Sequence, residues 1–146
     1  MKPGGAVFLI IPDRRFCFDH FLPESTFLDV VGAWFEPRFR HGGRDVAKHW
    51  LFATHNDAAR HWTGDHGENP FSKARGPDVG DLFRTVKATY QAAQGYIDTH
   101  AWQFTPEGFR AIVEQLHDIG LIALQPTRVY PTVTGALEFF AILTGG

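Results

Sequence analysis

An uninterrupted apolar run, Ala6-Val7-Phe8-Leu9-Ile10-Ile11, is entered through Lys2-Pro3-Gly4-Gly5 and closed by Pro12-Asp13. A run with no alternating polar positions predicts a strand covered on both faces, as a central parallel strand is. Downstream the period changes. Phe27, Val30, Val31 and Trp34 recur at helical spacing and predict a helix over about 27–35, with Thr26 placed to cap it and Asp29 to complete a capping box. Glu36-Pro37 through Gly43 breaks it. From about Arg44 to Trp62, the residues Ala47, Trp50, Leu51, Thr54, Ala58 and Trp62 share one broad face, which predicts a single long helix. At about 100° per residue, His49, Asn56 and Arg60 fall opposite that face and His55 at its margin. Asp57 and His61 fall on its edge one turn apart, where an acid and an imidazole can hydrogen-bond.

Residues 64–78 form a turn-rich connection, and Asp78 is placed to cap a third helix striped by Val79, Leu82, Phe83, Val86, Tyr90 and Ala93, ended by Gly95. An extended segment, Tyr96 to Phe104, leads to a strong helix start: Thr105 as cap, Pro106 in the first position and Glu107 in the first turn. Phe109, Ile112, Val113, Leu116 and Ile119 line that helix until Gly120 stops it. Leu121–Tyr130, interrupted by Pro126, predicts an irregular edge strand, and Ala136–Leu143 a second strand antiparallel to it. The pattern is that of a single α/β domain without internal repeats.

Composition adds exclusions. A net charge of −2 supplies no basic field, so nucleic acid is not an expected partner. The local excess at Arg38, Arg40, His41 and Arg44 reads as a solvated loop. A lone Cys17 forbids an internal disulfide, reads as a buried thiol and points to a cytoplasmic setting. No stretch approaches the roughly 18 apolar residues that cross a bilayer, so no membrane association is expected.

The order KPGG-strand-PD, helical region, FTPEGFRAIVEQLHDIGLIAL and final strand LEFFAILTG resembles the C-terminal half of a class I S-adenosylmethionine-dependent methyltransferase domain. The resemblance implies a partial Rossmann-like sheet of three strands in the order first, last, middle, the last antiparallel. A helical insertion over about 26–95 then lies between the first and second strands. It also implies that the N-terminal half, with its glycine-rich cofactor turn, is missing: Gly4-Gly5, Gly42-Gly43 and Gly145-Gly146 lack a strand-to-helix G-x-G-x-G context. Methyl transfer to a small-molecule or protein acceptor is then expected only with a complementing half, and S-adenosylmethionine is not expected on this chain alone. The rival reading is a non-catalytic interaction module, whose first strand has a bare apolar edge that predicts pairing with another chain or a homodimer.

Ligands in open α/β sheets bind beyond the carboxyl ends of strands, which singles out Asp13, Arg14, Arg15, Asp19 and His20. The arginines suit a substrate carboxylate or phosphate, and His20 or an acid suits proton removal. In the extended segment Asp98, His100 and Trp102 share a face by the period of two, setting an acid beside an imidazole. His20 and His100 are thus the candidate bases, and Asp13, Arg14, Arg15, Asp19 and Trp102 the candidate substrate contacts. Eight histidines raise the question of a metal, above all His61, Asp65 and His66. Their spacing fits no zinc signature, so the sequence assigns none.

Overall fold

A computed structural model describes residues 4–70 and 77–145, with the side chains of Pro77 and Asp78 also outside the description. Met1–Pro3 of the opening turn and the expected Asp78 cap therefore lie outside it, while Gly4 has a φ of 73°, a turn conformation that glycine permits. The described elements follow the order β1 (Ala6–Pro12), α1 (Phe27–Phe35), α2 (Gly43–Phe52), α3 (Ala58–Trp62), α4 (Pro77–Ala92), α5 (Pro106–Asp118), β2 (Leu124–Val129) and β3 (Glu138–Gly145).

The three strands form one sheet in the order β1-β3-β2, both pairings antiparallel. This is the strand order expected from the sequence. β2 is an edge strand whose register shifts between Pro126 and Arg128, because proline has no N–H to give the ladder. Among the described residues the sheet's core lies on one face. There Phe109 and Val113 of α5 meet Phe139, Ala141 and Leu143 of β3, with Val7, Leu9 and Ile11 packed alongside. α5 owes its start to Thr105, whose Oγ1 accepts the Gly108 N–H at 3.0 Å, and to Pro106 in its first turn. Gly120, at φ 73°, follows its C-terminus.

β1 lies at the sheet edge and pairs antiparallel to β3, as the order first, last, middle implies; what departs from expectation is its cover, since it alternates between exposed and half-buried residues and is not buried on both faces. Phe8 is 75% exposed, Ile10 69% and Phe140 45%. Register places Phe8 opposite Ile142 and Ile10 opposite Phe140. The outer face of the sheet is therefore an apolar surface that α5 leaves open. An apolar run reports what a strand can bury; cover comes from the rest of the fold, and here it reaches one face.

The long helix expected over 44–62 is two helices. Residues 53–57 leave the helix because their polar groups have better partners elsewhere: Thr54 N bonds Phe18 O at 2.9 Å, Thr54 Oγ1 bonds His66 O at 2.6 Å, and Asn56 Oδ1 accepts from Phe18 N at 3.2 Å. Asp57 becomes the N-cap of α3, accepting from Arg60 N, so it does not pair with His61 as its spacing suggested. α1 has the full capping box of Thr26 and Asp29, yet none of its residues is fully buried, and Trp34 stays exposed. Trp62 is fixed more firmly: it stacks on Phe16 at 3.9 Å and donates its Nε1–H to Ala136 O at 2.9 Å.

Candidate functional site

β1 is followed directly by Asp13, the buried hub of the loop. Its carboxylate accepts from Arg15 N (3.0 Å), from the Arg15 guanidinium (2.7 Å at the closest) and from Thr132 Oγ1 (2.5 Å). The main chain adds Asp13 N to Leu137 O at 2.8 Å and Arg14 N to Phe104 O at 2.9 Å. Thus loop 13–25, the β2–β3 connection and the segment before α5 meet at one point. Asp13 raises the pKa of Arg15 by this hydrogen bond. Arg14 turns inward, its guanidinium donating to Leu22 O at 2.8 Å and His20 O at 2.6 Å. Those donors shape the loop.

The fold brings Asp19 and His100 together across 81 residues. His100 Nδ1 lies 2.8 Å from Asp19 Oδ2; Asp19 is buried and His100 about one-third exposed. A carboxylate only accepts, so Nδ1 carries the proton and Nε2 is left as the basic nitrogen. The Phe18 ring packs 4.4 Å from that of His100 and holds it in place. Asp19 Oδ1 is buried with no hydrogen-bond partner among the described residues. Cys17 lies beside this pair, but burial pushes its thiol up to about 12, which keeps it from acting as a thiolate. Asp98, expected beside His100, is exposed, because residues 93–105 are irregular and the period of two does not apply.

Trp102 lies two residues beyond His100, at the wall of a cleft of about 240 Å³ that Arg38, Arg40, His41, Asp45 and Tyr96 also line. A smaller recess that shares Trp102 and Arg38 with it is lined also by Arg44, Lys48 and Gln103. Residues of the basic cluster at 38–44 therefore line the cleft wall while keeping partners of their own: Arg40 donates to Ala93 O at 2.9 Å and Arg44 lies 3.6 Å from Asp29. Lys48 anchors the far side, donating to Gln103 Oε1 at 3.0 Å and lying 3.4 Å from Asp45.

His20 is placed elsewhere. Its Nδ1 lies 2.8 Å from Arg15 O, and its ring stacks on His66 at 3.5 Å, with His61 behind. Burial is the main cause lowering the pKa of His61, and His55 and His20 beside it add to the effect; His66 is lowered likewise, by burial first and then by His20 and His61. Of the residues singled out in the sequence, Asp19 and His100 meet each other, Asp13 and Arg15 form a strand-end pair, Arg14 builds the loop, and His20 joins a histidine cluster. Partners 81 residues apart leave no mark in local spacing.

S-adenosylmethionine, which the resemblance implies, needs a glycine-rich strand-to-helix turn. The one strand-to-helix connection among the described residues, from β1 to α1, has no glycine, and Gly42-Gly43 opens α2 with no strand before it. The residues present do not fit that cofactor on their own.

Comparison with protein-family models, characterised proteins and solved structures gives no match. The described helices include none long and apolar enough to cross a membrane.

Proposed function

We propose that this chain is the substrate-side part of a methyltransferase-like α/β domain, acting with a cofactor-binding lobe seated against β1. The observation that carries the reading is the open side of the sheet. Phe8, Ile10 and Phe140 are exposed on one face, and the edge of β1 away from β3 pairs with no strand among the described residues. Doubly wound sheets are covered on both faces and extend beyond such a strand. A lobe that added a strand and a helical layer would cover both, whether it belongs to the same polypeptide or to a second one.

The chain's own contribution is to hold and deprotonate the acceptor. His100, oriented by Asp19, takes the proton of the acceptor's O–H or N–H at Nε2, and the buried carboxylate stabilises the imidazolium that forms. Trp102 and the Arg38 side of the cleft bind the remainder of the acceptor, an arrangement suited to a flat group bearing a carboxylate or phosphate.

A photo-cross-linking residue at Phe8, installed in the protein in its native cells, tests the reading. The expected product joins β1 to a segment that carries a glycine-rich strand-to-helix turn, and that assembly binds S-adenosylmethionine. A product containing only two copies of this chain would favour the interaction-module reading and overturn this one, as would an assembly that does not bind the cofactor.

A further inference from the structure

Three histidines converge from two separate segments. His20 comes from the loop after β1, His61 from the end of α3, and His66 from the turn beyond Gly64. Each offers a ring nitrogen, and these nitrogens lie within 4.8 Å of one another.

Main-chain carbonyls set the tautomers. His20 Nδ1 lies 2.8 Å from Arg15 O and His61 Nε2 lies 3.0 Å from His55 O. A carbonyl only accepts, so both of these nitrogens carry hydrogen, and His20 Nε2 and His61 Nδ1 are left with in-plane lone pairs. His61 Nδ1 in turn faces His66 Nδ1 at 2.9 Å. With no hydrogen on the His61 side, a single proton from His66 bridges the two, in the position where a cation would serve both. Backbone carbonyls on the distal ring nitrogens are the usual outer support of metal-binding histidines.

The surroundings narrow the ligand set. His55 stacks on His61 at 4.3 Å, but both its nitrogens are used, one by Asp65 O at 3.0 Å and one by Asp57 N at 3.2 Å. Asp65 is held by Arg60 at 2.7 Å and by Gly67 N at 3.1 Å. His61 is 2% exposed, whereas His20 and His66 are half-buried, so the cluster has a closed back and an open front. Three imidazoles with one side reachable by water suit an ion with three protein ligands and an open fourth position, which the rings of His20 and His66, stacked at 3.5 Å, reach by turning their nitrogens toward His61.

We infer that His20, His61 and His66 form a three-histidine site for a first-row divalent cation, with Zn²⁺ as the ion of choice and water in the fourth position. The site ties the loop carrying Asp19 to the turn after α3. It stands independently of the methyltransferase reading, since none of its ligands belongs to the Asp19–His100 pair.

The test is a titration of the whole, chelator-stripped chain with Zn²⁺ against a chromophoric competitor, repeated with Co²⁺ to read coordination from its visible spectrum. One ion per chain and a tetrahedral Co²⁺ spectrum are expected. His66→Ala, which keeps the main-chain carbonyl that Thr54 bonds, should weaken Zn²⁺ binding by at least about 100-fold, while His117→Ala leaves it unchanged. Circular dichroism establishes that each variant is folded, and His66→Cys, which restores a ligand, should recover most of the affinity. Uptake that His66→Ala does not alter, an octahedral Co²⁺ spectrum, or binding abolished by His100→Ala instead would overturn the assignment.

Discussion

Replacing Asp13 by alanine tests whether the end of β1 is the point that ties three segments together. The carboxylate is fully buried and accepts hydrogen bonds from Arg15 and Thr132. Two effects of its loss differ in weight. Arg15 is 39% exposed and turns to water, so its ion pair counts as a surface pair worth at most about 1 kcal/mol, partly offset by no longer burying an anion. The Thr132 hydroxyl is buried and loses its partner, which costs about 1–3 kcal/mol. The second effect dominates, and Asp13→Ala should destabilise the chain by about 2 kcal/mol. In urea that is a fall of about 1 M in midpoint, taking a denaturant slope of about 2 kcal/mol per M. Thr132→Val should cost about 1–2 kcal/mol alone, and the double variant should be less destabilised than the sum by about 1 kcal/mol, since neither partner is then orphaned. Urea unfolding followed by circular dichroism measures all four species. A folded Asp13→Ala protein with an unchanged midpoint, or additive single effects, would refute the reasoning.

Cys17 should react with iodoacetamide at pH 8 on the order of a thousandfold more slowly than a free thiol, and at the ordinary rate in urea, because burial holds its thiol near about 12; rapid labelling of the folded chain, read by mass spectrometry, would contradict this. His61 and His66 have folded pKa values below the ordinary 6.5, so the unfolded chain binds protons that the folded chain refuses. With chelator present, stability should therefore be level above about pH 7 and fall as pH drops from 6.5 through the lower folded values; a melting temperature flat from pH 7.5 to 5 would count against the buried cluster. Thr105→Ala removes the α5 cap and the bond to Glu24 at 2.5 Å, and should cost about 1–2 kcal/mol in the same urea assay, an unchanged midpoint being the contrary result.

Where local chemistry decides structure, the sequence is legible. Thr26 with Asp29 and Thr105 with Pro106 mark helix starts because the bonds they make span three residues. Strand order followed from pattern and resemblance together. The break at residues 53–57 was hidden because periodicity weighs apolar positions, while Thr54 and Asn56 are drawn off by Phe18 and His66. The bare face of β1 was hidden for the opposite reason, since Phe8 and Ile10 are as apolar as any core residue. At the site, His100 was visible as a base candidate, but its acid partner is Asp19 in place of the nearby Asp98. The joining of His20 to His61 and His66 is likewise a property of the folded chain alone.

The central claim is that the cofactor-binding surface lies on a lobe that covers β1. Calorimetric titration of S-adenosylmethionine into the chain alone, and into the assembly captured through Phe8, tests it most directly. No saturable heat from the chain and a one-to-one isotherm from the assembly are predicted; saturable binding by the chain alone, or none by the assembly, would contradict it.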